Sequence, residues 1–424
     1  MYLRNLIVPL LIAVITTDVN PAESNPSECF RRSGELFYFM KCFHQFIIRK
    51  DSLTYQQWVS NLKPTQRQID AWQQITKSML DQRLPCEQIP IPREIEDSVV
   101  LKSYEGKIKH CVLMESTTAR LPCTTNSSKL CTRFKYGWGV FATPAQGQLI
   151  TRPNLHFSAS HPLYDGDVHL QAAYIYDHVG AKSLAVTGAH RNAVNDKRQH
   201  PSQCDKVGSY NVMDASHSEA VMFHQILLAI REWQIGNHQG AGHWCLFTAN
   251  VRGIAADTCL FVQLHGMSSK TCPDIMMFAS VGASGSVGSK YDNAILVAIG
   301  PPCGPIYRNR SSAVNQFRQI LRAEGLAAGY QHWPIPTPYH DRRCKLAATK
   351  NPFGRILNGV PVSRACASGA VPRRSQVTGS FLHIEQKPET RNATSGVFRV
   401  WAKAFKKFMP ATDERPTIGG PHFK

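Results

Sequence analysis

The sequence lacks the signals that would place it in a membrane, a zinc finger or a repeat array. Beyond the N-terminus no stretch approaches the roughly 18 continuous apolar residues of a membrane helix. None of the thirteen cysteines stands in a C-x-x-C pair, which removes the usual finger and ribbon ligand spacings. No internal repeat and no low-complexity tract occurs, so solenoids are excluded. Lys and Arg outnumber Asp and Glu by 48 to 30, yet they form no long basic block, only a modest cluster at Lys403–Lys407. The serine elbow fails as well. Gly282-Ala283-Ser284-Gly285-Ser286 ends in Ser where Gly-x-Ser-x-Gly needs glycine, and a serine esterase built on Ser284 stays a third reading.

What is present begins with Arg4, an apolar run from Leu6 to Thr16 and a polar break at Asp18, Asn20 and Pro21. That order predicts a signal peptide over residues 1–22, cleaved between Thr17 and Ala22. The expected compartment is extracellular, without membrane insertion, and there most cysteines should pair. Their odd number leaves one free or intermolecular. Three glycosylation sequons, at Asn126, Asn309 and Asn392, fit the same compartment. An apolar content of 43% supports a sizeable core, and the formal charge of +18 suits acidic polysaccharide or another polyanion as partner.

Residues 23–92 read as a helical, cysteine-bearing N-terminal region. Trp58, Leu62, Ile69, Trp72, Ile75 and Leu80 recur at helical spacing, Pro64 separates two helices, and Cys29, Cys42 and Cys86 staple the segment. Prolines between Pro85 and Pro92 mark its boundary. Over residues 93–409 strands alternate with helices. Leu155–Ser160, Ser183–Thr187, Cys259–Leu264, Ile275–Val281, Ala294–Ile299 and Gly379–Ile384 are the expected strands. Val168–His178, Ser218–Trp233 and Ala313–Leu326 are the expected helices, the second opened by a capping box at Ser216–Glu219. Such alternation predicts an α/β domain whose sheet is covered on both faces. Residues 410–424 read as a loose tail.

Several expected strands end in a residue that can do chemistry. His161 follows the first, with Asp165 and Asp167 close behind. His190, Arg191 and Asn192 follow the second, His265 the third and Glu385 the last. In open α/β sheets the ligand crevice lies outside the carboxyl ends of the strands. Two imidazoles and a carboxylate are a common set for catalytic zinc. His161 and His265 would give the nitrogens, and Asp165 or Asp167 the oxygen. Glu385 would exchange the proton, and Arg191 or Arg391 would hold a substrate carboxylate or a developing oxyanion, with Asn192 beside them. His217 and His224, seven residues apart on one predicted helix face, read as structural, as does His190.

The order His-x-x-x-Asp, Arg-Asn, Leu-His-Gly and a strand-end Glu, from Leu155 to Arg391, resembles the zinc carboxypeptidase superfamily. The N-formylglutamate amidohydrolase and poly-gamma-glutamate hydrolase branches are the most similar. The resemblance implies a three-layer α/β/α fold with a central mixed sheet, and amide hydrolysis with one zinc ion. On that pattern His161 and His265 are the histidine ligands, Glu385 the general base and Arg191 the substrate or oxyanion arginine. The motif His-x-x-Glu is altered: position 164 is Tyr, and Asp165 is the nearest carboxylate. The substrate would be peptide-like or carboxylate-bearing. The competing reading is a non-catalytic secreted protein that binds an acidic polymer on the same scaffold.

Overall fold

The computed structural model describes residues 25–123, 127–195, 202–204, 209–237, 259–283, 306–307, 309–330, 333–367, 377–394 and 396–411. The expected signal peptide, the sequon at Asn126, Ser284, the strand expected at Ala294–Ile299 and nearly all of the expected tail lie outside the described residues.

Three helices come first: α1 (Leu36–Phe43), α2 (Tyr55–Gln57, continued by a π turn) and α3 (Gln66–Asp81). Thr65 and Gln68 form a reciprocal capping box that starts α3 after Pro64. Its Trp72, Ile75, Met79 and Leu80 make one buried stripe. The strands β1 (Val99–Glu105), β2 (Lys109–Glu115), β3 (Thr118–Pro122), β4 (Leu130–Phe134) and β5 (Val140–Pro144) follow as antiparallel hairpins and edges. Then come β6 (Arg152–Ala159), α4 (Val168–Val179), β7 (Ala181–Val186), α5 (Met222–Asn237), β8 (Leu260–Gly266) and β9 (Met277–Ser280). The chain closes with α6 (Ala313–Ala327), α7 (Pro352–Leu357), β10 (Phe381–Gln386) and α8 (Val397–Phe408).

Eight strands form one mixed sheet in the order β1-β2-β5-β7-β6-β8-β10-β9, while β3 and β4 pair apart. The four central strands, β7, β6, β8 and β10, run parallel. They are buried almost throughout, polar residues such as His156, Ser183 and Gln263 included, as a sheet covered on both faces requires. Neighbouring residues of β6 show the two layers. His156 bonds Gln234 of α5, and the ring of Phe157 packs edge-on against Phe405 of α8. Helices α1, α4, α6 and α8 pack side by side in one layer, and α3, α5 and α7 in the other. The expected three-layer α/β fold with helices at its N-terminus is thus present. Side chains of α1 and α3 belong to the same apolar core as those of β6 and α4.

Gly180 makes the sharpest connection. It ends α4 at φ +64°, a conformation open to glycine, and a Cβ there would run into the Thr151 hydroxyl. β7 can therefore begin at the next residue.

Five disulfides link Cys29 to Cys42, Cys86 to Cys111, Cys123 to Cys131, Cys204 to Cys366 and Cys272 to Cys344. All eleven described cysteines are disulfide-bonded, Cys259 included. Cys86 does not staple the N-terminal region to itself. Its partner lies in β2, so the bond ties the end of that region to the sheet. These disulfides fit an oxidising, extracellular compartment. Among the described residues no helix is long and apolar enough to cross a membrane.

One expected helix start is displaced. α5 begins at Met222, not Ser218, and Ser216 does not cap it. The Ser216 hydroxyl instead donates to Ser160 Oγ at 2.6 Å. His217 therefore precedes the helix and shares no helix face with His224.

Candidate metal centre

Parallel pairing brings the ends of three strands together. Glu385 of β10 lies level with His265 of β8, and His161 stands just past the end of β6 on the other side of β8. After His161 the chain makes one tight turn, closed by the Asp165 amide donating to the His161 carbonyl at 2.9 Å. That turn returns the Asp165 carboxylate to the imidazole four residues back.

Three atoms meet there. His161 Nδ1 and His265 Nδ1 are 3.1 Å apart, and Asp165 Oδ2 lies 3.3 Å from the first and 3.1 Å from the second. The three residues are only 2%, 1% and 2% exposed for His161, Asp165 and His265. The opposite ring nitrogens define the tautomers. His161 Nε2 donates to Asp214 Oδ1 at 2.9 Å. His265 Nε2 donates to Gln263 Oε1 at 3.0 Å, an oxygen that also accepts from Asn351 Nδ2 at 2.7 Å. With Nε2 protonated, both Nδ1 atoms turn lone pairs toward each other and toward a carboxylate. Such a cluster could hold a metal ion.

The residues present fit a metal ion. Tetrahedral ligands with bonds of about 2.0–2.1 Å stand roughly 3.3 Å apart, which matches edges of 3.1 to 3.3 Å. A proton can bridge only one edge at a time, whereas all three edges here are alike. A carboxylate and an amide behind the two rings are the supports that metal-ligating histidines usually have.

The electrostatics agree. Burial raises the Asp165 carboxyl, but the His161 and His265 imidazoles outweigh that and hold it well below the carboxylate range. Burial and Arg191 lower His161, yet Asp214 and Asp165 leave it raised. Burial takes His265 down to about 4 despite Asp165. Of the two imidazoles, His161 is thus the raised one and His265 the lowered one.

Asp214 anchors a second layer. Its carboxylate accepts from His161 and from His217 Nδ1, both at 2.9 Å, and forms an ion pair with Arg191. Arg191 Nη1 reaches to within 3.4 Å of His161 Nδ1, and its guanidinium lies between the rings of Tyr164 and Tyr210, 4.9 and 5.8 Å from their centroids. Tyr164 is 53% exposed and stands at the outer edge of the cluster. His190 sits in the same loop, where its Nδ1 accepts from the Asn192 amide at 2.9 Å.

Glu385 stands beside the triangle with Oε1 3.6 Å from His383 Nε2. Burial, then the Asp165 charge, push its carboxyl up to about 8. Arg391 reaches in from the segment after β10. Its Nε donates to the Gln386 carbonyl and its Nη2 to the Met267 carbonyl, each at 3.2 Å. Gly166 and Gly266 make the room, since a Cβ on Gly166 would lie 2.7 Å from Arg391 Nη1 and one on Gly266 2.7 Å from its Cζ.

Of the expected residues, His161, Asp165, His265, Arg191, Glu385 and Arg391 are brought to one place. Asn192 contributes backbone: its amide bonds His190 and its carbonyl accepts from the Asp51 amide at 2.8 Å. Asp167 is not in the triangle. It stands at the start of α4, where its Oδ2 accepts from the Ala393 amide at 3.4 Å. Asp214, Gln263 and His383 were not anticipated. His383 and Gln263 each alternate with a candidate residue two positions on in the same strand, which is the one signal that marked them.

A Ser–His–Asp series also runs through His265, with Ser160 Oγ 3.3 Å from Nε2 and Asp165 on Nδ1. It does not make a nucleophile. The His265 Nε2 proton is committed to Gln263, and Ser160 is fully buried.

No family model matches the chain, and no curated protein sequence matches it.

Proposed function

We propose that this chain is a secreted, zinc-dependent hydrolase of an amide bond close to a carboxylate. The observation that carries the reading is the near-equilateral triangle of His161 Nδ1, Asp165 Oδ2 and His265 Nδ1. His161, Asp165 and His265 would hold the ion. When bound, zinc supplies Lewis acidity toward a carbonyl oxygen and toward water.

The chain's own residues supply the rest. Asp214 and Gln263 keep the two imidazoles in the tautomer that offers Nδ1. Glu385, beside the triangle, accepts at its carboxyl oxygen the proton that the attacking water loses and returns it to the leaving amine. Arg391, in its glycine-lined slot, offers a cation to the substrate carboxylate. Arg191 lies nearer the triangle, where it faces charge that develops on a carbonyl oxygen. The pattern of the zinc carboxypeptidase superfamily leads to the same assignment, with Asp165 in place of its glutamate.

The test is metal content joined to turnover. The secreted protein should carry about one zinc per chain and release the amine from N-acyl amino acids or γ-glutamyl peptides. It should lose that activity with a chelator and regain it with zinc. Undiminished turnover by metal-free protein would overturn the reading. The near-complete burial of the three ligands favours one alternative, a structural ion in a non-catalytic binding protein. In that case zinc removal lowers the melting temperature and no amide in the panel is cleaved.

A further inference from the structure

A second cationic site lies at the far end of the sheet. Around the first residues of α6 there is a cavity of about 280 Å³, lined by Arg310, Asn315, Arg318 and Gln319 from the helix side and by Tyr339 and His340 opposite, with Tyr307 at its base. Register separates it from the metal centre. The Tyr307 hydroxyl accepts from the Val281 amide at 3.0 Å and donates to the Ala283 carbonyl at 2.6 Å. Both residues lie beyond Ser280, which pairs with His383. They are therefore level with the start of β10, whereas Glu385 and the triangle are at its other end.

Among the described residues the lining holds two guanidinium groups and no carboxylate. Arg318 is fixed in place. Its Nε donates to the Ile335 carbonyl at 2.6 Å, and its Nη1 donates to Asn315 Oδ1 at 3.2 Å and to His340 Nε2 at 3.1 Å. Because His340 Nε2 accepts, its Nδ1 carries the proton and donates to Thr337 Oγ1 at 2.7 Å. The imidazole is thus neutral, in keeping with the lowering by burial and by Arg318. Among the described residues these bonds leave Nη2 of a held, planar guanidinium for a ligand. Arg310 and Gln319 are exposed at the rim, and Tyr339, 37% exposed, stands with its ring edge-on to His340.

The Nη2 hydrogens of a fixed guanidinium, with the Arg310 cation at the rim, bond the oxygens of a carboxylate, an aromatic face takes the flat side of a ring, and an amide bonds hydroxyls. The volume falls just below the roughly 300–1,000 Å³ of pockets for drug-sized ligands, which suits one ring-sized unit. We infer that this cavity binds a single carboxylated sugar, a uronate unit, as a site separate from the metal centre. The chain's formal charge of +18 would concentrate such anions around it.

The experiment is a calorimetric titration of the full chain, stripped of metal by chelator, with glucuronate, glucose and inorganic sulfate. Glucuronate should bind saturably, with glucose and sulfate at least tenfold weaker. Arg310→Gln and Gln319→Ala alter exposed side chains and should keep the melting temperature, while each weakens glucuronate binding, the arginine variant about tenfold or more. Equal response to glucose, or to sulfate, would overturn the assignment. So would unchanged glucuronate affinity in Arg310→Gln, or binding that disappears when metal is removed.

Discussion

His161 and His265 face each other through the same ring nitrogen, Nδ1 to Nδ1 at 3.1 Å, while Asp214 and Gln263 occupy the opposite nitrogens. Neither ring can satisfy the other in its neutral form. A divalent ion should therefore stabilise the protein strongly. At a free concentration about a thousandfold above Kd the gain is ~4 kcal/mol. Calorimetric melting with and without zinc should show a rise of several degrees, and His265→Ala should abolish the rise. An equal rise in the variant would exclude the triangle as the binding site.

Metal affinity should fall on acidification. His161 is raised from its ordinary value, and a protonated imidazole must lose its proton before it can bind the ion. Binding is strongest when pH lies above the His161 value and weakens as pH drops through and below it. Competition against a chromophoric chelator, between pH 8 and pH 5.5, measures this. A flat profile would show that His161 is not a ligand.

Glu115 gives a stability prediction away from the site. Its carboxylate accepts from the Tyr136 amide at 2.5 Å and the Trp138 amide at 2.8 Å, in full burial. Burial pushes it up to about 8, against the pull of those donors. A carboxyl whose folded value exceeds its unfolded one takes up a proton on folding. Its contribution is complete below about 4.5 and is lost as pH rises through about 8. Denaturant unfolding should show wild type losing stability between pH 5 and pH 9 by more than Glu115→Gln does. Glu115→Ala takes the acceptor from the half-buried Tyr136 amide and from the buried Trp138 amide, the latter at ~1–3 kcal/mol.

Gly266→Ala tests the placement of Arg391. The new methyl would stand 2.7 Å from the Asp165 carbonyl and 2.7 Å from Arg391 Cζ. Overpacking of this kind costs about 1–3 kcal/mol. If Arg391 binds the substrate carboxylate, KM should rise in this variant as it does in Arg391→Ala, with kcat less affected. A change in kcat alone would assign Arg391 no part in binding.

The legible parts of the sequence were those set by local pattern. The strand expected at Leu155–Ser160 is Arg152–Ala159, and the helix expected at Val168–His178 is Val168–Val179. Short runs rich in apolar and aromatic residues and a terminal glycine define such elements within a few residues. His161, His265 and Glu385 could be singled out because each follows such a run. Asp214 could not. It lies 53 residues from His161, in a segment with no periodicity, and only the packed fold turns its carboxylate to that imidazole. Ser216 misled for a related reason. Its spacing to Glu219 imitates a helix cap, but in the buried interior Ser160 and His265 compete for its hydroxyl.

The segment from Ile48 to Leu53 runs alongside the loop that carries Arg191. Ile48 donates to the Gly188 carbonyl at 3.0 Å, His190 to the Ile48 carbonyl at 2.9 Å, Asp51 to the Asn192 carbonyl at 2.8 Å and Asn195 to the Leu53 carbonyl at 2.8 Å. The leading helices are thus stitched to the loop that presents the arginine. Proteolytic trimming of them would take away the backbone hydrogen bonds that support the loop carrying Arg191.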